Sequence, residues 1–117
     1  MRAAARLGLV ALLAAALVAL TLTGAAAGSR GRATTVKVGD NFYSPNDLSI
    51  AKKTNVRFKW VGQEKHNVVL KKGPGADFAS RTTKKKGVNF EHKFKHRGTY
   101  NLICTVHTEM KLTVDVG

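Results

Sequence analysis

The sequence predicts a single all-β domain, a sandwich or barrel of about seven short strands. Three observations predict it. Hydrophobic residues recur with period two from Thr34 to Val116, and no stretch after the amino-terminal region sustains the 3.6-residue period of a helix. Turn-forming clusters, such as Gly39-Asp40-Asn41 and Lys95-His96-Arg97-Gly98, punctuate the apolar runs. A length of 117 residues leaves room for one domain.

The amino terminus stands outside that pattern. Met1 to Arg6 is short and basic, Leu7 to Thr23 is uncharged and rich in Leu, Ala and Val, and Ala25-Ala26-Ala27 offers small residues. This is the layout of a secretory signal peptide over residues 1–27, cleaved after about Ala27. The competing reading is a retained membrane anchor, for which the alanine-rich run is on the short side of the roughly 20 residues a bilayer asks for. Neither a twin arginine nor a cysteine near the cleavage site is present. The expected destination is the periplasm or the cell exterior. Residues 28–33 read as a flexible lead-in, and residues 34–117 as the domain.

Within the domain, Thr34 to Val38 alternates and ends at the Gly39-Asp40-Asn41 turn. Phe42 to Asp47 is a bend carrying two aromatics and Pro45, and Leu48 and Ile50 begin a second alternating run. Val56, Phe58 and Trp60 share one face of a half-buried strand, with Arg57, Lys59 and Val61 on the other. His66 to Leu70 reads as a short strand and Lys71 to Asp77 as a loop. Phe78 to Thr83 is ambiguous and has room for a helical turn, whereas Lys84-Lys85-Lys86 reads as an exposed loop or edge. Val88, Phe90, His92 and Phe94 form one alternating row, Tyr100, Leu102 and Cys104 a second, and Leu112, Val114 and Val116 a third.

Charge and cysteine usage narrow the function. Setting aside Arg2 and Arg6 leaves 18 Lys+Arg against 7 Asp+Glu, a net charge of +11. For an exported chain without a nucleic-acid motif, that balance points to solubility, to acidic protein surfaces, or to peripheral contact with anionic lipid. A single cysteine, Cys104, permits no internal disulfide. In an oxidising compartment a lone thiol survives by burial or by binding a metal. Cys104 opens the pattern Cys104-x2-His107-x2-Met110, directly after an apolar strand. A thiolate, an imidazole and a thioether are the soft ligand set that suits copper, and His66 is the candidate for a fourth ligand. His92, in a strand row, and His96, in a turn, match no ligand position.

These residues resemble the cupredoxins, small blue-copper proteins of the plastocyanin, pseudoazurin and amicyanin group. The likeness covers nearly all of residues 34–117. It rests on Phe42-x-x-Pro45 with Leu48 and Ile50, on Val56-x-Phe58-x-Trp60, and on His66-Asn67-Val68-Val69. It continues through Phe90-x3-Phe94-x3-Gly98-x-Tyr100-x3-Cys104-x2-His107-x2-Met110. The resemblance implies a Greek-key β-sandwich of seven to eight strands. It implies one type 1 copper ion held by His66, Cys104, His107 and Met110, in a ligand loop as short as that of the amicyanins. It also implies that Asn67 ties its loop to Thr105 beside the cysteine, shielding the sulfur.

With every coordination position filled by protein, none is open to a substrate, so the expectation is an electron carrier and not an enzyme. Two departures stand out: Leu112 occupies a position where the family usually has glycine, and Glu109 and the threonines make the ligand loop more polar than usual. Docking of an acidic redox partner near His107 then falls to charge, with Lys84, Lys85 and Lys86 as the candidate patch on a monomeric protein. A copper-delivery protein with a more open site is the alternative from another class, and a metal-free interaction domain is a third.

Overall fold

The computed structural model describes residues 33–117, and the signal peptide and all but the last residue of the lead-in lie outside the described residues. Eight strands form in chain order: β1 (Ala33–Gly39), β2 (Phe42–Ser44), β3 (Asp47–Ile50), β4 (Thr54–Trp60), β5 (Val69–Lys72), β6 (Gly87–Phe94), β7 (Gly98–Ile103) and β8 (Lys111–Val116). They make two four-stranded sheets, one ordered β2-β1-β4-β6 and the other β3-β8-β7-β5. No helix occurs among the described residues. Among those residues, therefore, no helix is long and apolar enough to cross a membrane.

Alternation explains how the sheets face each other. In β4, Val56, Phe58 and Trp60 are buried between exposed Arg57 and Lys59, as a half-buried strand requires. Tyr100 and Leu102 of β7, Cys104 just beyond it, and Leu112, Val114 and Val116 of β8 supply the opposing layer. Burying a large apolar side chain of this kind stabilises by roughly 1.5–3 kcal/mol, so these rows set the register of both sheets. Phe94 stands at the centre, edge-on to Tyr100 with ring centroids 4.9 Å apart.

The structure corrects five sequence readings. Within the expected bend Phe42–Asp47, Phe42–Ser44 pairs antiparallel with β1 as strand β2 and Asp47 opens β3, because the Asp40-Asn41 turn folds the chain straight back on β1. The strand expected over His66–Leu70 begins only at Val69; His66 makes an isolated bridge to Thr83, because its side chain and backbone are drawn into contacts at the sandwich end. Lys71 and Lys72, read as loop, continue that strand. The segment Phe78–Thr83 is extended, not helical; it returns along β5, with Leu70 N–H donating to Phe78 O and Ser80 N–H to Val68 O. Val88 does not join the Phe90 row. The β4–β6 register shifts at Phe58/Lys59, so that Phe90 faces Phe58 but Val88 faces Lys59, leaving Val88 on the outer face.

Three connections meet at one end of the sandwich: the β1–β2 turn, the β4–β5 loop with His66, and the β7–β8 loop with Cys104, His107 and Met110. Two of the supporting strand pairs, β1–β4 and β3–β8, are parallel.

Candidate metal centre

The β7–β8 loop is closed by its own backbone. Met110 N–H donates to His107 O at 3.0 Å and Cys104 N–H donates to Met110 O at 3.2 Å, so the three side chains are carried on one tight turn. Cys104 and Met110 are buried beneath it, while His107 keeps 21% of its side chain exposed.

His66 arrives on the connection between β4 and β5, which crosses from one sheet to the other, and is fully buried. Its backbone is held by Trp60, whose indole N–H donates to His66 O at 3.2 Å, and by Thr83, whose N–H donates to the same oxygen at 3.1 Å. The next carbonyl, Asn67 O, accepts from the Tyr43 hydroxyl at 2.6 Å. Burial, and secondarily the nearby Cys104 sulfur, push the Tyr43 phenol well above its ordinary range, so it stays a donor.

Asn67 joins the two loops. Its side-chain N–H groups donate to Thr82 Oγ1 and Thr105 Oγ1, both at 2.8 Å, and its Oδ1 accepts from Thr105 N–H at 2.9 Å. Both amide hydrogens are thereby used.

The donor atoms of His66, Cys104 and His107 all lie within 4.8 Å of one another. His66 Nδ1 is 3.1 Å from His107 Nδ1 and 4.0 Å from Cys104 Sγ. At the far side of each ring stands a carboxylate: His66 Nε2 to Asp40 Oδ1 at 2.8 Å, and His107 Nε2 to Glu64 Oε1 at 3.0 Å. An ionised carboxylate only accepts, so each Nε2 carries a hydrogen, and in the neutral ring Nδ1 then presents its lone pair. Two such lone pairs facing at 3.1 Å repel, and a metal ion or a shared proton between them relieves the repulsion. Two imidazoles, a buried sulfur and a thioether on the adjoining turn are the donor set of a type 1 copper site, and they fit that metal.

Sequence reasoning did not identify Asp40, Tyr43, Trp60 or Glu64 as parts of this centre. Asp40 carries the strongest signature: the hydrogen bond from His66, then those from the N–H groups of Gln63 and Glu64, hold its carboxyl well below the usual carboxylate range. Its only mark in the sequence is a place in the Gly39-Asp40-Asn41 turn. His92 and His96 lie away from the centre, around a cavity of about 270 Å³ that Phe78 and Tyr100 also line.

Comparison with known proteins agrees. An amicyanin variant in its reduced Cu(I) form superposes with a TM-score of 0.65 at 25% identity, covering 73% of this chain and 82% of that one. A purple cupredoxin from Nitrosopumilus maritimus gives 0.63 at 25% identity over 72% of this chain and 99% of that one. A copper-containing nitrite reductase from Thermus scotoductus SA-01 gives 0.62 at 24% identity; this chain covers only 22% of its length, so the likeness is one of fold. None of the curated proteins compared matches the sequence. The sequence pattern described as copper binding proteins of the plastocyanin/azurin family matches residues 31–117. The chain is therefore a member of the plastocyanin/azurin family of copper-binding proteins, a cupredoxin.

Proposed function

We propose that this protein is an exported electron carrier, not an enzyme, binding one copper ion through His66, Cys104, His107 and Met110. The observation that carries the reading is the convergence of three donor atoms within 4.8 Å, with Cys104 wholly buried. Copper in such a site supplies a one-electron Cu(I)/Cu(II) couple. The chain's part is to hold the donors still. Trp60, Tyr43 and Asn67 fix the His66 loop by hydrogen bonds to backbone and to Thr105, and the closed turn fixes the other three donors. Ligands that do not move between oxidation states keep the reorganisation small, which is what electron transfer needs. Burial of Cys104 keeps water from the sulfur, and four protein ligands leave no position for a substrate.

Partner docking is proposed to use charge. Lys84, Lys85 and Lys86 are exposed and follow Thr83, which bridges to His66, so the run starts beside the centre. An acidic redox protein is the partner that this patch would steer; reversing all three lysines to glutamate should slow association at low salt and matter little at high salt. Export rests on the composition of residues 1–27.

The test is the visible spectrum of the protein given one equivalent of Cu(II), beside Cys104→Ser. An intense blue band, absent in the variant and bleached by ascorbate, is expected. Weakly absorbing copper indistinguishable between the two would instead indicate metal delivery.

A further inference from the structure

Both imidazoles of the centre end on a carboxylate, and one short segment of chain supplies or holds both. Asp40 sits in the two-residue hairpin loop between β1 and β2, where Asn41 takes a φ of 68° that asparagine tolerates well. Its carboxylate accepts from Gln63 N–H through both oxygens and from Glu64 N–H through Oδ1, each at 3.0 Å, and from His66 Nε2 at 2.8 Å. That wrapping requires glycine at position 62: a Cβ there would strike the Asp40 carboxylate and its backbone nitrogen. Glu64 then turns its own side chain to His107 Nε2 at 3.0 Å. The Gly62-Gln63-Glu64 segment thus ties one histidine through its backbone and the other through its side chain.

We propose that Asp40 and Glu64 are positioning residues that hold both imidazoles as Nε2–H tautomers and lower the reduction potential of the centre by favouring the oxidised ion. The proposal rests on the copper reading above. An anionic acceptor on the far N–H makes an imidazole a stronger donor, and carboxylate–histidine pairs of this kind change metal affinity by 10–100-fold. The more highly charged ion gains more from both the stronger donor and the added negative charge. The excess of lysines acts in the opposite sense, but as solvated charges at the surface they are screened over about 8 Å, whereas the carboxylates are in hydrogen-bond contact with the rings.

The two are not equivalent. His66 is fully buried and Asp40 has 36% of its side chain exposed, with three backbone bonds fixing it. Glu64 has 60% exposed and its carboxylate meets only a partly exposed ring, so water competes for that bond. Asp40 is therefore the stronger determinant.

The experiment is a redox titration of the copper-loaded protein, with Asp40→Asn and Glu64→Gln, each followed by its blue band. The expected result is an upward shift in both, larger in Asp40→Asn, where a tenfold fall in the Cu(II)-to-Cu(I) affinity ratio corresponds to about 59 mV. Pulsed EPR should show changed coupling of the remote imidazole nitrogen in each variant, a signal that loss of packing alone would not move. Unchanged potentials with the blue band intact overturn this proposal and leave the copper reading standing. Absence of the band in the parent overturns both. Should Asp40→Asn fail to fold, Glu64→Gln, whose side chain is mostly in water, decides the matter by the same sign.

Discussion

Asn67 and Thr105, 38 positions apart, are joined by two hydrogen bonds of opposite sense: Asn67 Nδ2 donates to Thr105 Oγ1, and Thr105 N–H donates to Asn67 Oδ1. This double link is the direct tie between the loop bearing His66 and the one bearing Cys104. Asn67 is 5% exposed, so its loss strands a partly buried backbone N–H and leaves a gap. Asn67→Ala should cost about 2–3 kcal/mol. For a domain of this size each kcal/mol lowers Tm by about 4–8 °C, which calorimetry would register. Thr105→Ala keeps the backbone bond and should cost about 1 kcal/mol or less.

The register shift in β6 separates two neighbouring apolar residues. Val88 lies on the outer face and is 45% exposed, so Val88→Thr should change stability by no more than about 0.5 kcal/mol. Phe90 packs on Phe58 and Phe78, with ring centroids 5.8 and 6.1 Å away. Phe90→Ala should cost about 2–3 kcal/mol, below the range for a fully buried ring because Phe90 is half-buried. Denaturant titration of the two variants checks the register; similar losses would contradict it.

Gly98 opens β7 with a φ of +134°, a region L side chains rarely enter, and a Cβ there would lie 3.0 Å from Pro74 Cγ. Gly98→Ala should cost about 1–3 kcal/mol. The site is at the opposite end of β7 from Cys104, so the blue band of the folded variant should keep its position while Tm falls.

His92 stacks on Phe78 at 3.7 Å between ring centroids and meets Phe94 edge-on at 4.7 Å. Burial, and then the charge of Lys95, hold its pKa below the ordinary 6.5. The unfolded chain therefore takes up this proton first as pH falls through 6.5, and the native state loses stability until its own, lower pKa is passed. Above 6.5 the group contributes no pH dependence. Thermal melts at pH 7.5 and pH 5 should show a larger fall in Tm for the parent than for His92→Phe, the difference isolating this histidine from the others.

The ligand loop was legible because its chemistry is local: Cys104, His107 and Met110 sit within seven residues, and one closed turn carries them. The core rows were legible for a similar reason, since alternation in β4, β7 and β8 states which side chains face inward whatever the partners are. Val88 escaped that logic. Its pattern continued the row of Phe90 and Phe94, and only pairing with β4 introduced the register shift that turned it outward.

His66 is legible as the candidate for the missing fourth ligand and again by its place in the family pattern, but its carboxylate partner is not legible at all. Asp40 stands 26 positions before His66 in a turn that looks like any other. Glu64 is one exposed acid among seven Asp and Glu residues. The all-β class, the inward rows and the soft donor set can be read without coordinates, because each is written in residues close along the chain. That β1 runs parallel beside β4, so that the β1–β2 turn meets the β4–β5 loop and sets a carboxylate against His66, emerges only in the folded domain. Strand pairing distant in sequence is settled by packing across the whole domain, and a contact that depends on it leaves no periodicity to read.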